Sequence, residues 1–398
     1  MAQARLWTSY RQHDFFALRD ELPAVRSGDD DQTAFLRAAS LSAFAKTMSS
    51  VGILTRLLSH PPQSRALEID ARELLMLNRR TLFEYAAALQ AIAPLVEHAA
   101  AAGDARIAEL RNRARLLRTI ADVPRQTVSL GAGAPMALDA GGRLGVSVND
   151  RPVRMALDTG ANFSVVSRST ARALGLRIRT ANYAIGSSMG GSAQADATVV
   201  DLGFADGTRV ADVIFLVLPD AALKMSNGGA ATGLIGFPVI AALGAVAYGP
   251  GRTVSFAAPA SGDGAAAELA LARNDPLLLV SYRHREFPCR LDTGSGRSVF
   301  YAPFLQAFGN DFAAARRRFM RVEDATGMHT RAAYGVSALD ISLAGRMLRL
   351  ADATVLKAPL RGVANPDLYC NIGRDILGRF SSYTVDFRRM TLTLGAER

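Results

Sequence analysis

The sequence predicts an α+β multidomain chain. An all-α helical domain over residues 1–122 is followed by two all-β lobes, 123–257 and 268–398, related by internal duplication. Three observations predict it. Helical periodicity fills the first 122 residues. The character changes at Val123-Pro124, after which short β-rich runs alternate with Gly, Asp, Asn and Pro turns. The stretch "LDTGANFSVVS" (157–167) returns as "RLDTGSGRSVF" (290–300), which places Asp158 and Asp292 134 residues apart.

The helical elements come first. "DDDQTAFLRAASLSAFAK" (29–46) opens with acidic residues suited to a helix N-terminus and then repeats apolar positions at helical spacing. "RALEIDARELLMLNRRTLFEYAAALQAIAPLVEHAA" (65–100) is rich in helix formers and is expected to break only near Pro94. "DARIAELRNRARLLRTIA" (104–121) follows a stop at Gly103. Several antiparallel helices are expected, paired as in helical repeats, although no clean repeat period is present.

Composition narrows the function classes. An apolar fraction of 49% over 398 residues is that of a globular chain. No apolar run approaches the ~18–20 residues of a membrane span. The N-terminus, "MAQARLWTSY", has no apolar signal core, though its small-residue "AQA" also suits the remnant of a removed signal. The net charge of +10 is carried almost entirely by arginine. The runs "RNRARLLR" (111–118) and "ARRRFMR" (315–321) read as solvated faces rather than a nucleic-acid surface, so no nucleic acid is expected as a partner. Two cysteines and five histidines show no metal-ligand spacing, so neither a metal nor a cofactor is expected.

The β-rich part repeats one order of elements. Each half opens with a hairpin running into Asp-Thr-Gly: "GRLGVSVNDRPVRMALDTG" and "DPLLLVSYRHREFPCRLDTG". A short helical turn follows, "RSTARALGL" (168–176) and "APFLQAFG" (302–309). Next come Gly-containing hairpin tips, "IGSSMGGSA" (185–193) and "EDATGMHTRA" (323–332). Apolar-Gly turns follow, "GLIGFPVI" (233–240) and "CNIGRDIL" (370–377). Each half closes on a hairpin, "AVAYGPGRTVSF" (245–256) and "YTVDFRRMTLTL" (383–394). Gly236 and Gly373 are 137 residues apart, so register is nearly held. "APASGDGAAA" (258–267) reads as a flexible linker between the halves.

A single Asp-Thr-Gly is an ordinary turn. Two, each with the same downstream parts, resemble the retropepsin-like and pepsin-like aspartic peptidases over residues 123–398. The chain also resembles a bacterial single-chain, two-lobe subgroup with a helical domain ahead of the lobes. The resemblance implies a two-lobe acid-protease β-barrel fold with a pseudo-twofold axis, a peptide or protein substrate, and endopeptidase activity. Asp158 and Asp292 would form the catalytic dyad within one chain, so no homodimer is required. The chemistry fits independently. Two carboxylates about 3 Å apart share one proton, so one can activate a water while the other protonates the scissile carbonyl.

Thr159 and Thr293 resemble the family's interlocked threonines, and Gly160 and Gly294 allow the sharp turn beside each carboxylate. Ser295 resembles the pepsin pattern, in which the hydroxyl bonds the carboxylate, and Ala161 the retroviral one. That asymmetry predicts a mildly acidic pH optimum. Gly190 and Gly191, and Gly327 and Met328, are the flap and substrate-binding candidates. Asn371 departs from the apolar residue usual before the glycine.

The fold implied by the resemblance makes Cys289 and Cys370 neighbours, either bridged or free as two buried thiols. A bridge favours a periplasmic or secreted location; the alternative is cytoplasmic. The N-terminal helices are expected to bind a protein partner or to cover the cleft. Two rival functions stand beside hydrolysis: a non-catalytic peptide-binding protein on the same fold, or a helical scaffold with an autoinhibited protease part.

Overall fold

The computed structural model describes residues 2–24, 30–60, 62, 64–97, 104–186, 192–223, 232–256, 264–312, 315–324, 327–358 and 367–398. Side chains that cap helix N-termini start several of the helices, Asp14 accepting from the Ala17 N–H among them. Asp30 accepts from the Thr33 N–H, Ser64 from the Leu67 N–H, and Asp104 from the Arg106 N–H, each cap contributing about 1 kcal/mol. The helices are α1 (Ala2–Arg11), α2 (Phe15–Glu21), α3 (Asp31–Ala43), α4 (Thr47–Leu57), α5 (Arg65–Thr81), α6 (Tyr85–Val96) and α7 (Ala105–Ile120).

The long helical segment breaks elsewhere than expected. Pro94 lies inside α6, where it removes one backbone hydrogen bond without ending the helix. The break is at Leu82–Glu84. Phe83 takes a left-handed conformation (φ 58°), its N–H donates to the Arg80 carbonyl, and the Glu84 N–H donates to the Arg79 carbonyl. This closure usually falls to glycine, so a phenylalanine hid the helix end from view.

The helices do not form a core apart from the sheets. Ile107, Leu110 and Leu117 of α7 share a core with Ala181, Ala195, Ile214 and Leu216 of the first β region. Leu18, Phe35 and Leu54 share another with Ala270, Ala272 and Leu277 of the second. Polar contacts fix the docking. The Asn112 side-chain amide donates to the Ala184 carbonyl at 2.7 Å and accepts from its N–H at 2.9 Å. Glu73 of α5 is buried against Arg106 and Arg113 of α7 and Arg273 of the second β region. Part of the basic run 111–118 is therefore spent on an internal ion-pair cluster.

Two β regions and a shared sheet follow. In the first, six strands close into a barrel: Arg209–Leu218, Ser164–Ser167, Gly233–Gly236, Arg151–Asp158, Arg143–Val148 and Ser192–Phe204, the last pairing back to the first. Thr127–Ser129 and Arg179–Gly186 extend it. The second region is a curled ten-stranded sheet built around Asp275–Tyr282, Arg285–Leu291 and Cys370–Ile372. Both opening hairpins turn on two residues of positive φ, Asn149-Asp150 and Arg283-His284, the geometry that suits the right-handed strand twist. Ala245–Gly249 pairs antiparallel with Tyr383–Asp386 at the middle of a six-stranded sheet joining the two regions, and Tyr248 stacks on Tyr383 at 4.5 Å.

Two expectations are settled by this framework. Residues 265–268, read as linker and lobe edge, form a strand paired with Thr391–Leu394. Its alanines match the flexible composition but face a neighbour able to take their backbone hydrogen bonds. Cys289 and Cys370 lie opposite each other in a parallel pair and are joined by a disulfide. No helix of the described residues is long and apolar enough to cross a membrane.

Candidate active site

The two Asp-Thr-Gly loops meet and interlock. Each leaves the end of a strand that pairs in parallel with an apolar-Gly segment: Arg151–Asp158 beside Gly233–Gly236, and Arg285–Leu291 beside Cys370–Ile372. The Thr159 hydroxyl donates to the Leu291 carbonyl at 2.8 Å and accepts from the Thr293 N–H at 3.0 Å. The Thr293 hydroxyl donates to the Leu157 carbonyl at 3.0 Å and accepts from the Thr159 N–H at 3.1 Å. Both threonines are buried, so these four bonds work with little competition from water.

The glycines decide how closely the carboxylates approach. A Cβ on Gly160 would fall 2.6 Å from the Asp292 carboxyl carbon, and one on Gly294 would strike the Asp158 carboxyl group. Each carboxylate therefore lies over the opposite loop's glycine, in space that any side chain would fill.

The bond partners of the two aspartates differ. Asp158 accepts the Gly160 N–H at 2.8 Å. Asp292 accepts the N–H groups of Gly294 (3.1 Å) and Ser295 (2.9 Å) on Oδ1, and the Arg290 guanidinium on Oδ2 at 3.1 Å. Three donors, one of them a cation, hold the negative charge on Asp292. Burial pushes the Asp158 carboxyl up to about 8, and the charge on Asp292 adds to this; the Gly160 N–H and Arg290 pull partly the other way. The net direction favours the protonated form of Asp158.

Ser295 departs from its expected contact. Its hydroxyl donates to the Arg297 carbonyl at 2.7 Å, and the backbone N–H meets Asp292 instead. The asymmetry between the loops survives, but Arg290 supplies most of it. Asn371 is explained by the same arginine. Its Oδ1 accepts from Arg290 Nε at 2.8 Å, and Asp275 lies 3.7 Å from Arg290 Nη1. A buried arginine needs polar company on every side, which an apolar residue at 371 could not give.

Four supporting contacts went unread in the sequence. The Ser164 hydroxyl accepts the Gly236 N–H at 3.0 Å, and the Ser298 hydroxyl the Gly373 N–H at 2.9 Å. The Phe237 N–H donates to the Ala161 carbonyl, and the Arg374 N–H to the Ser295 carbonyl. The signal was present: a serine stands six residues after both aspartates. Arg290 and Asp275 had no repeated counterpart to draw attention to them.

Gly190 and Gly191 lie outside the described residues. Gly327 and Met328 begin the strand Gly327–Val336, paired with Asp324 and Glu323 at the tip of a long hairpin. Among the described residues, no group of three or more His, Cys, Asp or Glu is placed to hold a metal ion.

Comparison with known proteins bears on this site. Residues 144–239, which contain the first Asp-Thr-Gly loop and its apolar-Gly partner, match the family described as aspartyl protease. No curated protein matches the chain. Among solved structures, a retropepsin-like aspartic protease from Rickettsia conorii is 16% identical over 36% of this chain and 100% of its own, with a TM-score of 0.26. Residues 144–239 thus carry a partial similarity to the aspartyl protease family.

Proposed function

We propose that the chain is an aspartic endopeptidase in which Asp158 and Asp292 activate a water between them. The observation that carries this reading is the reciprocal fit of the loops, each glycine lying against the other loop's carboxylate. Asp292, held as the anion, takes a proton from water as the oxygen attacks the scissile carbonyl carbon. Asp158 gives its proton to the carbonyl oxygen, forming a gem-diol. On collapse, Asp158 recovers that proton, Asp292 passes its own to the amide nitrogen, and the C–N bond breaks. The two act as a unit, so Asp292 and Asp158 exchange roles over the cycle.

In this reading the β part is an internally duplicated two-lobe acid-protease fold, 123–257 and 268–398. Supporting it are the matched strand pairings around both loops and the central pairing of Ala245–Gly249 with Tyr383–Asp386. Both lobes come from one chain, so a monomer suffices. The Cys289–Cys370 disulfide favours an oxidising setting, periplasmic or secreted. The test is cleavage of a peptide library by wild type beside Asp292→Asn. Cleavage falling by at least ~10³-fold is expected; cleavage that survives the isosteric change removes the dyad.

The helical region braces both lobes in this account rather than blocking the cleft. Its cores are continuous with Ala195, Ile214 and Leu216 on one side and with Ala270 and Leu277 on the other. Residues 123–398 alone should therefore be aggregation-prone and less active than the full chain. A soluble fragment with higher turnover would favour autoinhibition instead.

A further inference from the structure

A cavity of about 190 Å³ lies where the helical region meets both β regions, and neither aspartate of the dyad lines it. That is more than ten times the ~10–15 Å³ a single water needs. The end of α5 gives Arg80, the turn after it Phe83, the first β region Phe163 and Ile214, the second Leu271, and the shared sheet Met390. The wall is mainly apolar and aromatic, and no acidic side chain lines it among the described residues.

Arg80 is the one charged group in that wall among the described residues. Its Nε is enclosed without a hydrogen-bond partner. Its guanidinium sits 4.9 Å over the Phe163 ring, a contact that holds the cation in place without neutralising it. Asp275, the carboxylate whose charge reaches it, is already beside Arg290. Burial lowers the Arg80 pKa to about 10, which still leaves it charged at neutral pH. Among the described residues no carboxylate pairs with it, which is costly for a buried cation, and the arginines around it have found theirs: Arg79 pairs with Glu84 and Arg113 with Glu73.

We propose that this cavity binds a small monocarboxylate with an apolar body. The carboxylate pairs with the Arg80 guanidinium in its planar, two-pronged geometry. The apolar body lies against Phe83, Phe163, Ile214 and Met390. A phosphate dianion fits less well, because a second negative charge would be buried with no cation to meet it. The site is not isolated from the dyad. Ser164 also lines the cavity, its hydroxyl accepts the Gly236 N–H, and Gly236 stands in register with Asp158. Occupancy would brace the loop that carries Asp158, but the binding itself does not depend on the hydrolytic reading.

The test uses the full chain, calorimetric titration and thermal melting, with octanoate as probe, and 1-octanol and acetate as controls lacking the charge or the apolar body. Octanoate is expected to bind at one site and raise the melting temperature saturably. Both controls should bind at least ~10-fold more weakly, a difference of about 1.4 kcal/mol. Arg80→Met should weaken octanoate at least ~10-fold, and Ala242→Trp, which fills the cavity from another wall, should block it in a chain that keeps Arg80. Asp292→Asn should bind octanoate like wild type, which separates this site from the dyad. Equal binding of octanol, unchanged binding by either cavity variant, or no binding up to about 1 mM overturns the proposal.

Discussion

Asp158→Asn is expected to raise the melting temperature at pH 8 and Asp292→Asn to lower it, although both should lack hydrolytic activity. Asp158 binds its proton more tightly in the folded chain, where its pKa is raised to about 8, than in the unfolded one, where it is near 3.8. Between those values the folded state holds the proton and the unfolded state does not, so stability falls as pH rises through that window. An asparagine removes that loss. The variant should match wild type near pH 4 and gain by a few degrees at pH 8.

Asp292 is in the opposite position. Removing its charge leaves Arg290, whose side chain is 12% exposed, with only the more distant Asp275 as counter-ion. Breaking one side of a buried pair costs about 3 kcal/mol, so Asp292→Asn should melt lower at neutral pH. Melting curves of both variants from pH 4 to 9 decide the matter. A more stable Asp292→Asn than Asp158→Asn at pH 8 would contradict the charge assignment.

Arg290→Met should move the alkaline limb of the pH–rate profile upward. In wild type the monoprotonated dyad persists until Asp158 deprotonates, so activity should extend through neutrality and fall near pH 8. This is a wider window than the mildly acidic optimum expected from Ser295 alone. Without the guanidinium, Asp292 loses its charge-assisted bond, and the alkaline limb should rise because Arg290 also holds Asp158 down.

Arg290→Met also strands Asn371, which is buried with its Oδ1 given to that arginine. Adding Asn371→Leu should recover stability but leave the profile displaced. If the single variant keeps the wild-type profile and loses only stability, Arg290 is a structural group with no hold on the dyad.

The residues that could be read in advance are those the fold uses twice. Asp158 with Asp292, Thr159 with Thr293 and Gly160 with Gly294 stand at one offset, and each pair makes reciprocal contacts. Ser164 and Ser298 were equally visible, but a serine at the start of a strand or just before one has no local reason to be singled out. The end of α5 could not be read, because Phe83 adopts a conformation its side chain does not favour and only surrounding contacts impose.

By itself the sequence determined the helical first third, the opening hairpins and the pair of acidic loops, because each follows from local periodicity or from a repeat of short range. Tertiary structure alone decided which aspartate meets a guanidinium. That choice rests on an arginine two residues from Asp292, oriented by Asn371, 81 residues away, and flanked by Asp275 on a neighbouring strand. Electrostatic preference depends on distances between side chains in a poorly solvated site, and those distances exist only once the strands are paired.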